Sequence, residues 1–133
     1  MAKTVLVVDD EPGLRKLLGM TLRKQGFHVH LAGDGHEALA VFRAHGPAID
    51  AVLLDVNMPG LDGLQTLAAL QALDPDVRCF LMTGDTRPEL LASGARGVFP
   101  KPFGDLFQLQ HALRARIEAL PPRGLAAPAP CTP

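Results

Sequence analysis

The sequence predicts an α/β fold, a parallel sheet with helices on both faces, from three observations. Strand-like and helix-like segments alternate along the chain. The runs Val5-Leu6-Val7-Val8 and Ala51-Val52-Leu53-Leu54 are apolar at every position, as in strands buried on both faces. A length of 133 residues, 47% of them hydrophobic, suits one domain built on one core.

After the first strand, Leu14, Leu17, Leu18, Thr21 and Leu22 mark the inner stripe of a helix that stops at Gly26, a natural cap. Phe27 to Leu31 reads as a short second strand. Asp34 with Glu37 three residues on has the form of a capping box, opening a helix that faces the core through Ala38, Leu39 and Phe42. The strand at Ala51–Leu54 follows, then a turn through Pro59-Gly60 and a helix carrying Leu64, Leu67, Ala68 and Gln71. Val77 to Met82 is the fourth strand. Pro88 limits the segment ending near Ser93-Gly94 to a helix of a turn or two, and Gly97–Phe99 makes a short fifth strand. Leu106, Leu109, Leu113, Ile117 and Leu120 share one face of the last helix. From Pro121 the composition turns to Pro and Ala, which cannot bury enough apolar surface to fold. Residues 1–120 are thus the expected domain, and 121–133 a disordered tail or the stump of a linker.

A net charge of −1 gives no electrostatic reason to expect nucleic acid or an anionic membrane as partner. The apolar runs are far short of a membrane span, and Met1-Ala2-Lys3-Thr4 leads straight into a strand, so no signal peptide is expected. Cys79 and Cys131 are far apart, which argues for a reducing, cytoplasmic setting rather than a disulfide framework. His28, His30, His36, His45 and His111 form no recognisable ligand set; His28 and His30 read as polar decoration of one strand face.

The chemistry lies in Asp9 and Asp10, which close the first apolar run, and Asp55, which closes the other. Carboxylates just past the carboxyl ends of parallel strands point into the crevice where open α/β sheets bind ligands. Three of them disfavour one another's ionisation unless a cation intervenes, and an all-oxygen set suits a hard ion such as Mg2+. Each residue also has a plainer local reading. Asp10, ahead of Glu11-Pro12, would serve as a helix N-cap; Asp55 could end a strand for turn geometry; Asp62-Gly63 is ordinary turn chemistry; Lys101 alone is a solvated lysine.

Five matches in order change that balance: Asp9-Asp10, Asp55, the block from Asp55 through Asn57, Pro59 and Gly60 to Asp62-Gly63, Thr83, and Lys101-Pro102-Phe103, the strand-end matches each at the end of a predicted strand. From about residue 3 to residue 120 the chain resembles a receiver domain of a two-component response regulator, of the single-domain chemotaxis type. The resemblance implies a flavodoxin-like, three-layer fold with strand order 2-1-3-4-5, here with a shortened fourth helix. It implies that Asp55 is the phosphoacceptor, a carboxylate nucleophile taking a phosphoryl group from a phosphohistidine. It further implies that Asp10, Asp55 and the Asn57 backbone carbonyl hold Mg2+ directly, with Asp9 reaching it through water. Lys101 would balance phosphoryl charge, Thr83 would donate its hydroxyl to a phosphoryl oxygen, and Gly84 would leave the site open. The Lys101–Pro102 bond is cis in the family.

Two departures concern output. The family's aromatic three residues before the lysine is Val98 here, and adjacent Phe99 belongs to the opposite strand face. The segment from Thr83 to Gly94 is also short by roughly one helical turn against the family pattern. Asn57 and Asp85, two past the acceptor and two past the threonine, can hydrogen-bond an attacking water, so comparatively fast dephosphorylation is expected. The implied partners are a sensor histidine kinase or phosphotransfer protein and an unknown output protein, with the receiver a monomer or weak dimer. Two other readings stand beside it: a receiver cut from a longer DNA-binding or enzymatic regulator, and a Mg2+-dependent phosphohydrolase.

Overall fold

The computed structural model describes residues 3–84, 93–100 and 106–120. In chain order the elements are β1 (Thr4–Val8), α1 (Pro12–Lys24), β2 (His28–Ala32), α2 (Gly35–His45), β3 (Ala51–Asp55), α3 (Gly63–Leu73), β4 (Cys79–Thr83), β5 (Gly97–Pro100) and α4 (Leu106–Glu118). All neighbouring strands pair in parallel, in the order β2-β1-β3-β4-β5, the flavodoxin-like arrangement. The expected tail at 121–133 and the expected short helix around Pro88 lie outside the described residues.

Strand alternation divides the core into two layers. Val5, Val7, Ala51, Leu53, Phe80, Met82 and Phe99 face α1 and α4, where Leu18, Leu22, Leu113 and Ile117 meet them. Leu6, Val8, Val52, Leu54, Cys79 and Leu81 face α2 and α3, meeting Ala38, Leu39, Phe42, Leu67 and Leu70. Both faces of β1, β3 and β4 are therefore dry, which is why their sequences read as unbroken apolar runs.

The helix faces differ from the sequence reading in places. Leu17 is 41% exposed, and the buried arc of α1 runs instead through Leu18, Gly19, Thr21 and Leu22. A Cβ at Gly19 would lie 3.1 Å from Leu31 Cδ2, so the glycine allows α1 to approach β2 closely. On α3, Ala68 is exposed, while Thr66 and Leu70 are buried with Leu67. Thr66 tolerates burial because its hydroxyl donates to the Asp62 carbonyl oxygen at 2.7 Å. Gln71 is half-buried, its Nε2 donating to the Ser93 carbonyl oxygen at 2.9 Å. In α4, Leu113 and Ile117 are buried as expected, and the side chains of Leu106 and Leu109 lie outside the described residues.

Capping also departs from expectation. Asp34 Oδ1 accepts the Glu37 N–H at 2.7 Å, but the Glu37 carboxylate takes the Gly33 N–H, so the box at α2 is only half made. The reciprocal box stands at α3, where Asp62 Oδ1 accepts the Gln65 N–H at 2.9 Å and Gln65 Oε1 accepts the Asp62 N–H at 3.0 Å.

Candidate functional site

The parallel register brings the carboxyl ends of β1, β3 and β4 to one edge of the sheet. Val8 pairs with Leu54, Asp55 with Met82, and Thr83 with Pro100. Each residue that closes a strand is thereby delivered to the same crevice. Asp9, Asp10 and Asp55 place carboxylate oxygens within 4.8 Å of one another, the one potential metal-ligand group of three or more among the described residues. Asp9 is fully buried and Asp55 is 3% exposed, whereas Asp10 faces solvent.

Two buried carboxylates beside a third form a site whose charge calls for a cation. Carboxylate oxygens gathered within 4.8 Å are close enough for one ion to draw them together, directly or through a bound water. The donor set, all oxygen and at least two carboxylates deep in the crevice, fits a hard divalent ion.

Backbone groups hold Asp9 and Asp55 from different directions. Asp9 N–H donates to the Ala32 carbonyl oxygen at 3.2 Å, and Asp9 Oδ1 accepts the Glu11 N–H at 2.9 Å. That bond corrects the capping expectation: Glu11 is the N-cap of α1, without a side-chain cap bond, and the carboxylate closing the turn belongs to Asp9, not Asp10. Pro12 does occupy the first turn. Asp55 Oδ1 accepts the Asn57 N–H at 3.1 Å, and Val56 N–H donates to the Met82 carbonyl oxygen at 3.0 Å. Asn57 is exposed at the rim.

The loop after Asp55 depends on two glycines for different reasons. Gly60 has φ +74°, a left-handed conformation that suits glycine. Gly63 donates its N–H to the Val56 carbonyl oxygen at 2.8 Å, and a Cβ there would fall 2.4 Å from Val56 Cα. The Asp62-Gly63 pair is therefore more than turn chemistry, because Gly63 seats α3 against the strand end that carries Asp55.

Thr83 is buried at the end of β4, beside the strand of Asp55, and exposed Gly84 follows it. Asp85, Lys101, Pro102 and Phe103 lie outside the described residues. Val98 packs, half-buried, on the layer of α2 and α3, and Phe99 lies in the opposite layer, 6.1 Å from the Phe80 ring centroid. The strand offset thus separates the two side chains as their alternation requires. Cys79 is buried and burial pushes its thiol up, so it is poorly suited to act as a nucleophile.

Sequence reasoning missed two arrangements. Arg15 Nη1–H donates to the Asp9 carbonyl oxygen at 2.7 Å; a cation on the first turns of the helix after an acidic pair is the signal that could have found it. His30 and His45 stack at 4.5 Å between ring centroids, joining β2 to the end of α2. Residues 15 apart on separate elements carry no such signal in the sequence.

A family model described as the response regulator receiver domain matches residues 5–114. The chain is 34% identical over 118 residues to sporulation initiation phosphotransferase F of Bacillus subtilis, covering 86% of this chain and 93% of that protein. It is 39% identical over 104 residues to the probable transcriptional regulatory protein TcrX of Mycobacterium tuberculosis, covering 75% of this chain and only 44% of that one. Among solved structures, a chain of the CheX-CheY-BeF3-Mg+2 complex from Borrelia burgdorferi is 30% identical, with a TM-score of 0.75 over 85% of this chain and 88% of that chain.

Proposed function

The chain belongs to the response regulator receiver domain family, and from that premise we propose that Asp55 is its phosphoacceptor. The carrying observation is the convergence of Asp9, Asp10 and Asp55 at the carboxyl edge of the sheet, with Asp55 buried between the other groups and the end of β4. An Asp55 carboxylate oxygen attacks phosphorus, the bond from phosphorus to the donor histidine nitrogen breaks, and an acyl phosphate forms. Asp10, Asp55 and the Asn57 carbonyl would hold Mg2+ directly, and Asp9 through water. The Glu11 N–H on Asp9 Oδ1 supports the indirect role. Bound there, Mg2+ supplies neutralisation of phosphoryl charge. A similar chain solved with BeF3 and Mg+2 supports the assignment.

Thr83, buried at the end of the neighbouring strand, would donate its hydroxyl to a phosphoryl oxygen, and Lys101 would balance the remaining charge. Gly84 leaves room beside Thr83. Asn57 and Asp85 would orient the water that returns the protein to its unphosphorylated state. The receiver would not be an enzyme for external substrates; it would catalyse only its own phosphorylation and dephosphorylation. Its phosphodonor would be a sensor histidine kinase or phosphotransfer protein, met in the cytoplasm. Among the described residues no helix is long and apolar enough to cross a membrane. The receiver would act as a monomer or weak dimer through an output protein.

The 93% coverage of the Bacillus subtilis phosphotransferase favours a receiver acting alone. The 44% coverage of the mycobacterial regulator favours the second reading, a receiver joined to an output domain, with residues 121–133 as the start of a linker.

The test uses the purified protein with acetyl phosphate. We expect Mg2+-dependent incorporation of one equivalent of phosphoryl group, and no sustained phosphate release from phosphomonoesters. Incorporation independent of Mg2+, or steady turnover of phosphomonoesters, would contradict the proposal.

A further inference from the structure

We propose that Arg15 is a positioning residue of the acidic site, fixing through the Asp9 carbonyl the turn that presents Asp9 and Asp10. The inference rests on the reading of that site as a Mg2+ site. Arg15 is half-buried on α1, and its Nη1–H donates to the Asp9 carbonyl oxygen at 2.7 Å, a short bond with a charged donor. That carbonyl belongs to the peptide joining Asp9 to Asp10. Its orientation therefore sets the direction in which Asp10 leaves the strand.

The other polar groups of this turn are tied to different elements. Asp9 N–H reaches Ala32 on β2 at 3.2 Å, and Asp9 Oδ1 receives Glu11 N–H at the start of α1 at 2.9 Å. Arg15 adds the tie from within the helix. The guanidinium lies close to Gly33 in the loop after β2. An atom at the Cβ position of Gly33 would lie 3.1 Å from Arg15 Nη1 and 3.4 Å from Glu37 Oε1. Glu37 on α2 accepts the Gly33 N–H, which ties this loop to α2.

A positioning role and a bystander role make opposite predictions. A guanidinium that only happened to lie near the carboxylates would repel a divalent cation, and removing it would tighten Mg2+ binding. A guanidinium that aligns ligands would, when removed, weaken binding, as loss of groups that orient metal ligands does by about tenfold or more.

The experiment is calorimetric titration with Mg2+ of wild type, Arg15→Ala, Arg15→Lys and Gly33→Ala, alongside thermal unfolding of each without metal. Arg15→Ala should bind Mg2+ about tenfold more weakly. Arg15→Lys keeps a charged donor but not the planar fork, and should recover part of the loss. Gly33→Ala leaves Arg15 in place but presses on Nη1, which must give by a few tenths of an ångström, and should show a smaller loss in the same direction. Equal or tighter binding by Arg15→Ala, or no recovery in Arg15→Lys, would overturn the proposal. If Arg15→Ala does not fold, Gly33→Ala decides, and unchanged affinity there overturns it. A wild type that binds no Mg2+ would overturn the metal reading itself, and this inference with it.

Discussion

At Gly63 a methyl group would meet Val56 Cα at 2.4 Å and the Asp55 carbonyl oxygen at 2.5 Å, both backbone atoms that cannot step aside. Gly63→Ala should therefore push α3 off the end of β3 and destabilise the protein by about 2–3 kcal/mol, read from urea unfolding. Gly13 is the contrast, since nothing lies within 4 Å of an added Cβ. Gly13→Ala, in the first turn of α1, should be neutral or stabilising by about 0.5 kcal/mol. If the two alanines behave alike, the close seating of α3 is not what Gly63 provides. Legibility at this scale followed the same division. Asp9, Asp10 and Asp55 were visible because each closes an apolar run, and a run's end fixes where its next side chain points. The purpose of Gly63 was hidden because it lies in a contact with Val56, not in a local pattern. Arg15 left only a faint signal, a cation one turn into the helix after an acidic pair, because its partner is a backbone carbonyl that any residue carries.

Among the elements, α3 carries the complete capping box and begins eight residues after Asp55, so its first turn braces the loop that follows Asp55. Asp62→Ala should cost about 1 kcal/mol of stability. The edge strand β2 offers a pH-dependent counterpart. The His30 imidazole is held below its ordinary value of 6.5, by burial first, then by His45 and Arg23. The unfolded chain therefore binds the proton more readily, and stability is lost as pH falls through 6.5 toward the lower folded value. Between about pH 7.5 and about pH 5.5 the unfolding midpoint should fall less in His30→Gln than in wild type. Equal slopes would mean that His30 contributes nothing to the pH response. Strands were the most legible elements, since β1 and β3 are dry on both faces and need no partner to be recognised. Helix faces were less so. Thr66 is polar yet buried through its bond to Asp62, and the buried arc of α1 includes Gly19, which meets Leu31, while apolar Leu17 is exposed.

For the whole molecule, a sheet of order β2-β1-β3-β4-β5 gathers at one edge residues that are distant in sequence, Asp9, Asp55 and Thr83. Alternation of segments made the layers legible from the chain alone; the strand order came from the resemblance to receivers. The output that would follow phosphorylation was not legible, because a change between two states leaves no local pattern in residue type. Val98 and Phe99 lie in opposite core layers, as strand alternation requires, so the expectation of an unusual output rests on the sequence departure alone. Decay of the phosphoprotein bears on this. Asn57→Met and Asp85→Val should each slow hydrolysis, and unchanged decay in both would remove the water-orienting role. The central claim is the identity of the acceptor. Its most direct measurement is mass-spectrometric mapping of the phosphoryl group after acetyl phosphate treatment with Mg2+, in wild type and Asp55→Asn. Asp55 should be the single modified site, with no labelling in the variant; undiminished labelling of Asp55→Asn would contradict the assignment.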